Sequence, residues 1–176
     1  MKAIIIYGSY YGTTKQYAKE LERQIGIQAI SYDEIHFLDD YDLIVYLGAL
    51  YAGGVYGLKK TFSKFDLKNK NLIIVTVGLA DPHDETNKRN IENSLKKQIP
   101  FYNQYSLLRL RGGIDYKALS FKHRIMMSFL YKKVKTIDIS KQTEEMKTMV
   151  ETYGKKVNFV DYSQLEQIVS CIKKYI

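Results

Sequence analysis

Apolar residues along this chain gather into short continuous runs, and the stretches between the runs carry helical spacing. AIIIY at Ala3–Tyr7, LIVYLGA at Leu43–Ala49 and NLIIVTV at Asn71–Val77 contain no charge. Runs of this length, bounded by Gly, Asn and Asp, predict strands buried on both faces. Lys2–Tyr7 reads as the first strand, Ile27–Tyr32 as a short second and Leu43–Ala49 as the third. Asn71–Val77 is the fourth and Tyr105–Arg111 the last. Between them, Thr13–Ile25 places Tyr17, Leu21 and Ile25 on one helical face, with Gly26 as a stop. Leu58–Phe65 predicts a short helix, and Glu85–Ile99 an amphipathic one through Ile91, Leu95 and Ile99. The acidic segment Asp33–Asp42 predicts one or two helical turns. The final helix has a start signal of its own, Ser163 with Glu166 three residues on, a capping box.

Strands that alternate with helices, and that are apolar throughout, predict an α/β fold with helices on both faces of a parallel sheet. The spacing suits a doubly wound five-stranded parallel sheet of order 2-1-3-4-5. Ligands in such sheets sit beyond the carboxyl ends of the strands, where the first and third diverge. The loops placed there are Gly8–Thr14 and Leu50–Gly57, with Gly78–Asp84 next to them. Residues 1–176 read as a single domain, and 117–152 as a helical insertion before the last helix.

The first of these loops is an anion site by construction. IIIYGSYYGTTKQYA, Ile4–Ala18, is a buried strand, a tight loop and a helix start. The first N–H groups of a helix lack intrahelical partners, and the peptide dipoles leave partial positive charge there. Ser9, Thr13 and Thr14 add hydroxyls. No Lys or Arg lies between Gly8 and Thr14, so a phosphate would be held by neutral donors. That suits the terminal phosphate of a small cofactor better than a nucleoside triphosphate. The triphosphate loop ending Gly-Lys-Ser/Thr is absent, and Gly8 and Gly12 lack the G-x-G-x-x-G spacing of dinucleotide folds. The competing reading is an ordinary strand-to-helix turn with its cap.

Composition changes the picture in three ways. A hydrophobic content of 45% over 176 residues is enough for one folded domain with a core. The single cysteine, Cys171, excludes an intrachain disulfide and fits a reducing cytoplasm; beside Leu165, Ile168, Val169 and Ile172 it reads as packing. Ala3–Tyr7 is too short for a signal-peptide core, and no run approaches the ~20 apolar residues of a membrane span. The net charge of +8 favours an anionic partner or surface. Much of it lies in KALSFKHRIMMSFLYKKVK, Lys117–Lys135, which contains no acid. Phe121, Ile125 and Phe129, with Met126, Leu130 and Val134, predict a broad apolar face. Lys117, Lys122, Arg124, Lys132, Lys133 and Lys135 surround it. Such a helix either lies on an anionic membrane surface or packs on its domain with the lysines solvated. No nucleic-acid recognition fold accompanies it, so nucleic acid is not an expected partner. His83 reads as a proton donor or a solvated loop residue. His36 and His123 show no partner pattern, and no Cys/His cluster points to a metal.

Two stretches resemble a known family. Ser9-Tyr10-Tyr11-Gly12-Thr13-Thr14 is similar to the S/T-x-T-G-x-T phosphate loop of flavodoxins. Leu47-Gly48-Ala49-Leu50-Tyr51 is similar to the strand that leads into their aromatic flavin loop. The chain thus resembles a flavodoxin-like, FMN-binding protein, departing at Tyr11, where flavodoxins usually carry Thr or Asn. The resemblance implies FMN as cofactor, its phosphate held at Ser9, Tyr10, Tyr11, Gly12, Thr13 and Thr14. It implies Leu50, Tyr51, Ala52 and Gly53 along one side of the flavin, with Tyr51 stacking. Val77, Gly78, Leu79 and Asp81 would border the polar edge of the ring, although Asp81-Pro82 is equally a turn starter.

A narrower resemblance, to the flavodoxin-domain family that includes the menaquinone-dependent protoporphyrinogen dehydrogenase, spans the whole chain. It rests on Gly48–Gly53, on Arg111-Gly112-Gly113-Ile114-Asp115-Tyr116, on the basic Met-rich segment and on Val157-Asn158-Phe159-Val160-Asp161. It implies an oxidoreductase that passes electrons from a reduced small-molecule substrate through FMN to an acceptor such as a quinone. The alternative is a flavodoxin-type electron carrier serving a redox protein, a role usually filled by acidic proteins.

Overall fold

A computed structural model of the chain describes residues 1–51, 53–102 and 104–176. The apolar runs become the strands of one sheet. They are β1 (Ala3–Gly8), β2 (Ala29–Ser31), β3 (Leu43–Tyr51), β4 (Gly54–Val55), β5 (Asn71–Gly78) and β6 (Ser106–Arg111). Five of them run parallel in the order β2-β1-β3-β5-β6, and β4 folds back antiparallel on the end of β3. With β4 set aside, this is the expected order 2-1-3-4-5. The β3–β4 hairpin was not expected: part of the second loop, Leu50–Gly57, is a strand pair, Leu50 opposite Val55 and Tyr51 opposite Gly54.

Both faces of the sheet are apolar, which is why its strands show no alternation. On one face Ile5, Val45, Leu47, Ile73 and Val75 pack against Tyr17, Ala18 and Leu21 of α1 (Thr13–Ile25). On the other, Ile6, Ile44, Tyr46 and Ile74 meet α2 (Leu58–Lys64) through Leu58 and Phe62, and α3 (Glu85–Gln98) through Ile91 and Leu95. Each such aliphatic side chain contributes about 1.5–3 kcal/mol relative to exposure. Helix α1 ends as its sequence requires: Gly26 adopts φ 70°, and its N–H donates to the Glu22 carbonyl at 2.8 Å.

The chain then adds what a bare doubly wound sheet lacks. Strand β7 (Gly113–Asp115) pairs antiparallel with β8 (Lys156–Asn158). Between them lie α4 (Phe121–Lys135), a 3-10 turn (Ile139–Lys141) and α5 (Glu144–Thr152). Arg111–Tyr116 and Val157–Asp161, far apart in sequence, therefore lie side by side. The Phe159 N–H donates to the Gly112 carbonyl at 3.0 Å, and the Arg111 guanidinium stands 3.9 Å over the Phe159 ring. Tyr17 ties this annex to the sheet: its hydroxyl donates to the Arg111 carbonyl (2.8 Å) and accepts the Asp161 N–H (2.9 Å).

Two expected elements differ. Asp33–Asp42 forms turns rather than a helix. Buried Ile35 and Leu38 anchor it, and its Ile35 carbonyl accepts the Lys64 ammonium at 2.6 Å, so tertiary contacts replace helical bonds. Ser163 does not open a capping box. Asp161 takes both the Ser163 N–H (3.0 Å) and its hydroxyl (2.7 Å), which starts a 3-10 turn at Tyr162–Gln164 before α6 (Leu165–Ile172). Cys171 is half-buried against the α1-side core, as expected of a packing residue.

Candidate functional site

At the carboxyl edge of the sheet, β1 ends at Gly8. A Cβ there would lie 2.1 Å from the Tyr56 carbonyl oxygen, so only glycine lets the first and second loops touch. The chain turns through Ser9–Tyr11 and enters α1 at Gly12, whose φ of 97° suits glycine. Helix α1 has no side-chain cap and no acid in its first turn. Its first internal bond is Gln16 N–H to the Gly12 carbonyl at 3.0 Å, so the N–H groups of residues 13–15 have no intrahelical acceptor. Ser9 accepts the Gly12 N–H through Oγ at 3.2 Å, which leaves its own hydrogen to donate. A Cβ at Gly12 would meet nothing within 4 Å, so the ground before the terminus is open. Thr14 is buried, and the Thr13 methyl faces Gly112.

Beside this open terminus stands an aromatic cluster. Tyr10 lies nearly parallel to Tyr51, with ring centroids 5.6 Å apart and 9° between planes. Tyr56 meets Tyr10 edge-on at 5.3 Å. His123 completes the cluster, 4.7 Å from Tyr10 and 5.0 Å from Tyr51. Its Nδ1 is hydrogen-bonded to the Tyr11 phenol and its Nε2 to the Tyr51 phenol. A neutral imidazole has one donor and one acceptor, so one phenol donates to the ring and the other accepts from it. The phenol of Tyr11, which also accepts the Ser120 N–H at 3.3 Å, is thereby drawn toward α4. The expectation that His123 has no partner pattern is corrected. Its partners lie 112 and 72 residues away, beyond the reach of local pattern. One local signal was legible: Ser120 caps α4 through the His123 N–H (3.3 Å), which fixes the imidazole in the first turn.

The phenols of Tyr51 and Tyr56 stay protonated. Burial, then the neighbouring phenols of Tyr10, Tyr11 and Tyr56, push Tyr51 above the ordinary tyrosine value. Tyr56 is pushed up to about 12, first by its hydrogen bond with Tyr32 and then by burial. At neutral pH both are available as hydrogen-bond donors.

The third loop contributes backbone rather than charge. Val77 is buried, the Gly78 carbonyl accepts the Gly112 N–H (2.7 Å) and the Leu79 carbonyl accepts Nε–H of Arg111 (3.1 Å). Those two carbonyls are thus committed to the end of β6. Leu50 lies over Gly78, where a Cβ would come within 2.8 Å of it, and so joins the second and third loops. Gly53 is held from α3, its carbonyl accepting the Ser94 hydroxyl at 2.5 Å. Ala52 lies outside the described residues. Asp81 is exposed, and its Oδ1 accepts the His83 N–H at 2.8 Å, which is turn chemistry; His83 is itself exposed.

An open α/β sheet with an uncapped helix start beside a cluster of tyrosine rings is suited to anchoring a phosphate with a flat ring beside it. Residues 4–141 match the flavodoxin domain, and the chain belongs to that family. Solved structures similar to it include a Lactobacillus acidophilus flavoprotein in complex with FMN, at 15% identity and TM-score 0.44, covering 62% of this chain and 91% of that one. A flavodoxin from the domain Archaea is 16% identical, with TM-score 0.46 and coverage of 63% and 83%. Oxidised flavodoxin 1 of Bacillus cereus is 15% identical, with TM-score 0.39 and coverage of 78% and 100%. No curated protein matches the chain.

Family membership supports FMN as the cofactor, and the residues fit it. The phosphate end is open and lined by unpaired N–H groups. At the ring end, Tyr10 and Tyr51 present nearly parallel aromatic faces, their ring centroids 5.6 Å apart, against which a planar ring can stack. No helix among the described residues is long and apolar enough to cross a membrane.

Proposed function

We propose that the chain is an FMN-dependent oxidoreductase that takes electrons from a reduced small molecule and passes them to an acceptor, with a quinone as that acceptor. The observation that carries this reading is the roof over the crevice. Helix α4, outside the parallel sheet, reaches through His123 to both cofactor loops at once. A carrier that only exchanges electrons with proteins has no need of such a cover, whereas an enzyme must exclude water around its substrate. The narrower resemblance, to protoporphyrinogen dehydrogenase, gains support from the pairing of its two signature segments in β7 and β8, which bracket the helical segment that carries α4.

FMN, when bound, supplies the electron and hydride chemistry. The chain supplies the rest. The N–H groups of the first turn of α1 and the Ser9 hydroxyl hold the phosphate. Leu50, Tyr51 and Tyr56 shape the ring pocket. The Tyr51 phenol, hydrogen-bonded to His123 and through it to Tyr11, can hold a proton at Oη and exchange it along that chain.

The test is an anaerobic assay of the FMN-loaded protein with protoporphyrinogen as donor and a menaquinone analogue as acceptor. Turnover that requires both FMN and the quinone is expected. Reduction by a flavodoxin reductase without any substrate oxidation would transfer the chain to the carriers. A protein that takes up no FMN in a titration would end the reading altogether.

A further inference from the structure

The apolar residues of α4 do not all face inward. His123 and Val134 are buried against the domain, yet Phe121 is 76% exposed, Phe129 68% and Ile125 42%. Steps of four residues put Phe121, Ile125 and Phe129 in one outward stripe. Ile139, in the turn that follows, is 75% exposed. The broad face expected from sequence is therefore two faces, one packed and one bare. A stripe of large apolar side chains in the open marks a surface that something covers. Its flanks carry Lys122, Arg124, Lys132, Lys133 and Lys135, and no carboxylate among the described residues forms an ion pair with any of them.

A cleft of about 460 Å³ opens beside this stripe, between α4 and the end of α5, lined by Tyr116, Lys117, Arg124, Ile125, Ser128 and Tyr153. Ile125 belongs to both the cleft and the stripe. Lys117 and Arg124 are its only charged lining residues. The nearest carboxylate in sequence, Asp115, is occupied by Lys156 at 3.5 Å and by the Lys117 N–H at 2.9 Å. Tyr153 is held in place by stacking on Tyr131 at 4.0 Å and 10°. A guanidinium and an ammonium beside a hydroxyl form a phosphate-binding set, and the volume exceeds what a bare phosphate needs.

We infer that the outer face of α4 docks on an anionic phospholipid surface and that the Lys117–Arg124 cleft seats one lipid head group. Apolar residues flanked by unpaired cations are complementary to such a surface in both respects. The occupant would reach the same helix that covers the cofactor crevice, so an apolar acceptor dissolved in the bilayer would meet the protein on its roofed side. The docking does not depend on the redox reading. It is measured as binding, without turnover, so either can fail alone.

The test is co-sedimentation of the full chain with vesicles at low salt. The vesicles are either pure phosphatidylcholine or equal parts phosphatidylcholine and phosphatidylglycerol. Binding is expected only to the second, and it should fall steeply as salt is raised. Two charge-matched pairs separate the head-group cleft from general attraction. Lys132→Gln with Lys133→Gln should weaken binding about thirtyfold, the effect of two surface charges at ~1 kcal/mol each. Lys117→Gln with Arg124→Gln should weaken it about ten times further. Equal losses from the two pairs would remove the cleft from the proposal. Phe121→Ser with Phe129→Ser should release the protein from the vesicles while leaving FMN uptake and circular dichroism unchanged. A wild-type chain that ignores anionic vesicles at low salt, or binds both kinds alike, overturns the docking.

Discussion

Helices α1 and α3 both start at the same edge of the sheet, and they start in opposite ways. At α3 the Asp84 carboxylate accepts the Asn87 N–H at 2.5 Å, and Glu85 adds negative charge to the first turn. The chain itself satisfies that terminus. At α1 the capping position is Gly12, no side chain caps the turn, and the first turn has no acid. What Asp84 does for α3 must be done for α1 by something outside the chain. Helix α2 also starts at an uncapped glycine, Gly57, and the α1 terminus is the one reached from the Ser9–Tyr11 turn beside the tyrosine–histidine cluster. An uncapped helix end by itself means little; one beside an aromatic crevice at the strand switch point matches a phosphate joined to a flat ring.

The strongest way to break the contrast is to give α1 what α3 has. Gly12→Asp meets no neighbouring atom, strains the backbone because φ there is 97°, and brings a carboxylate to the terminus. It is expected to lower FMN affinity a hundredfold or more, because two anions would compete for the same N–H groups in a partly desolvated site. Fluorescence quenching of FMN measures this, and unchanged affinity would place the phosphate elsewhere. Next in size is Tyr51→Ala. Loss of one stacking face should weaken FMN by about two- to tenfold and shift its absorbance, since such contacts contribute about 0.5–1.5 kcal/mol. An unaltered spectrum would separate Tyr51 from the ring.

The converse change at α3 should leave FMN alone. Asp84→Ala is expected to cost about 1 kcal/mol of stability in urea unfolding, the usual worth of a cap, with cofactor affinity unchanged. A loss of affinity instead would mean that the two helix starts are not independent.

The smallest effect concerns pH. Tyr56 is held up to about 12 in the folded chain, whereas an unfolded tyrosine ionises near ~10. Between those values the unfolded chain releases a proton that the folded chain keeps. The contribution of Tyr56 is therefore whole below about pH 10 and declines as pH rises toward about 12. Burial moves Tyr46, Tyr51 and Tyr17 in the same direction. Tyr56→Phe should flatten the fall of stability in that alkaline window slightly, read by urea midpoints at successive pH values. A slope identical to wild type would remove Tyr56 from the linkage.

Much of this was legible in the residues, for reasons that can be named. A strand covered on both faces must be apolar throughout, so LIVYLGA and NLIIVTV announced their own burial. Gly26 and Asp84 act within a few residues of themselves, and local chemistry is what a sequence displays. At the start of α1 the residues left an anion site and an ordinary capped turn both open, and the structure shows Gly12 there with no capping side chain. Legibility failed where a distant group outbid a local one. Ser163 was captured by Asp161 instead of opening a capping box, and Asp33–Asp42 gave up helical bonds for buried Ile35 and Leu38. The stripe of α4 was read as a single face because spacing shows which residues align and not which side has a neighbour.

The amino-acid sequence by itself determined the five parallel strands, their order, the glycine-and-hydroxyl loop before α1 and the basic character of Lys117–Lys135. These follow from local conformational preference, from hydrophobic periodicity and from charge, none of which needs a partner across space. Only the tertiary structure decided that His123 would bind both cofactor loops, that residues 113–115 would pair with 156–158, and that Phe121 and Phe129 would be left bare. Each of those depends on which distant surfaces the chain closure brings within a few ångströms, and contact between remote segments is not written in either of them alone.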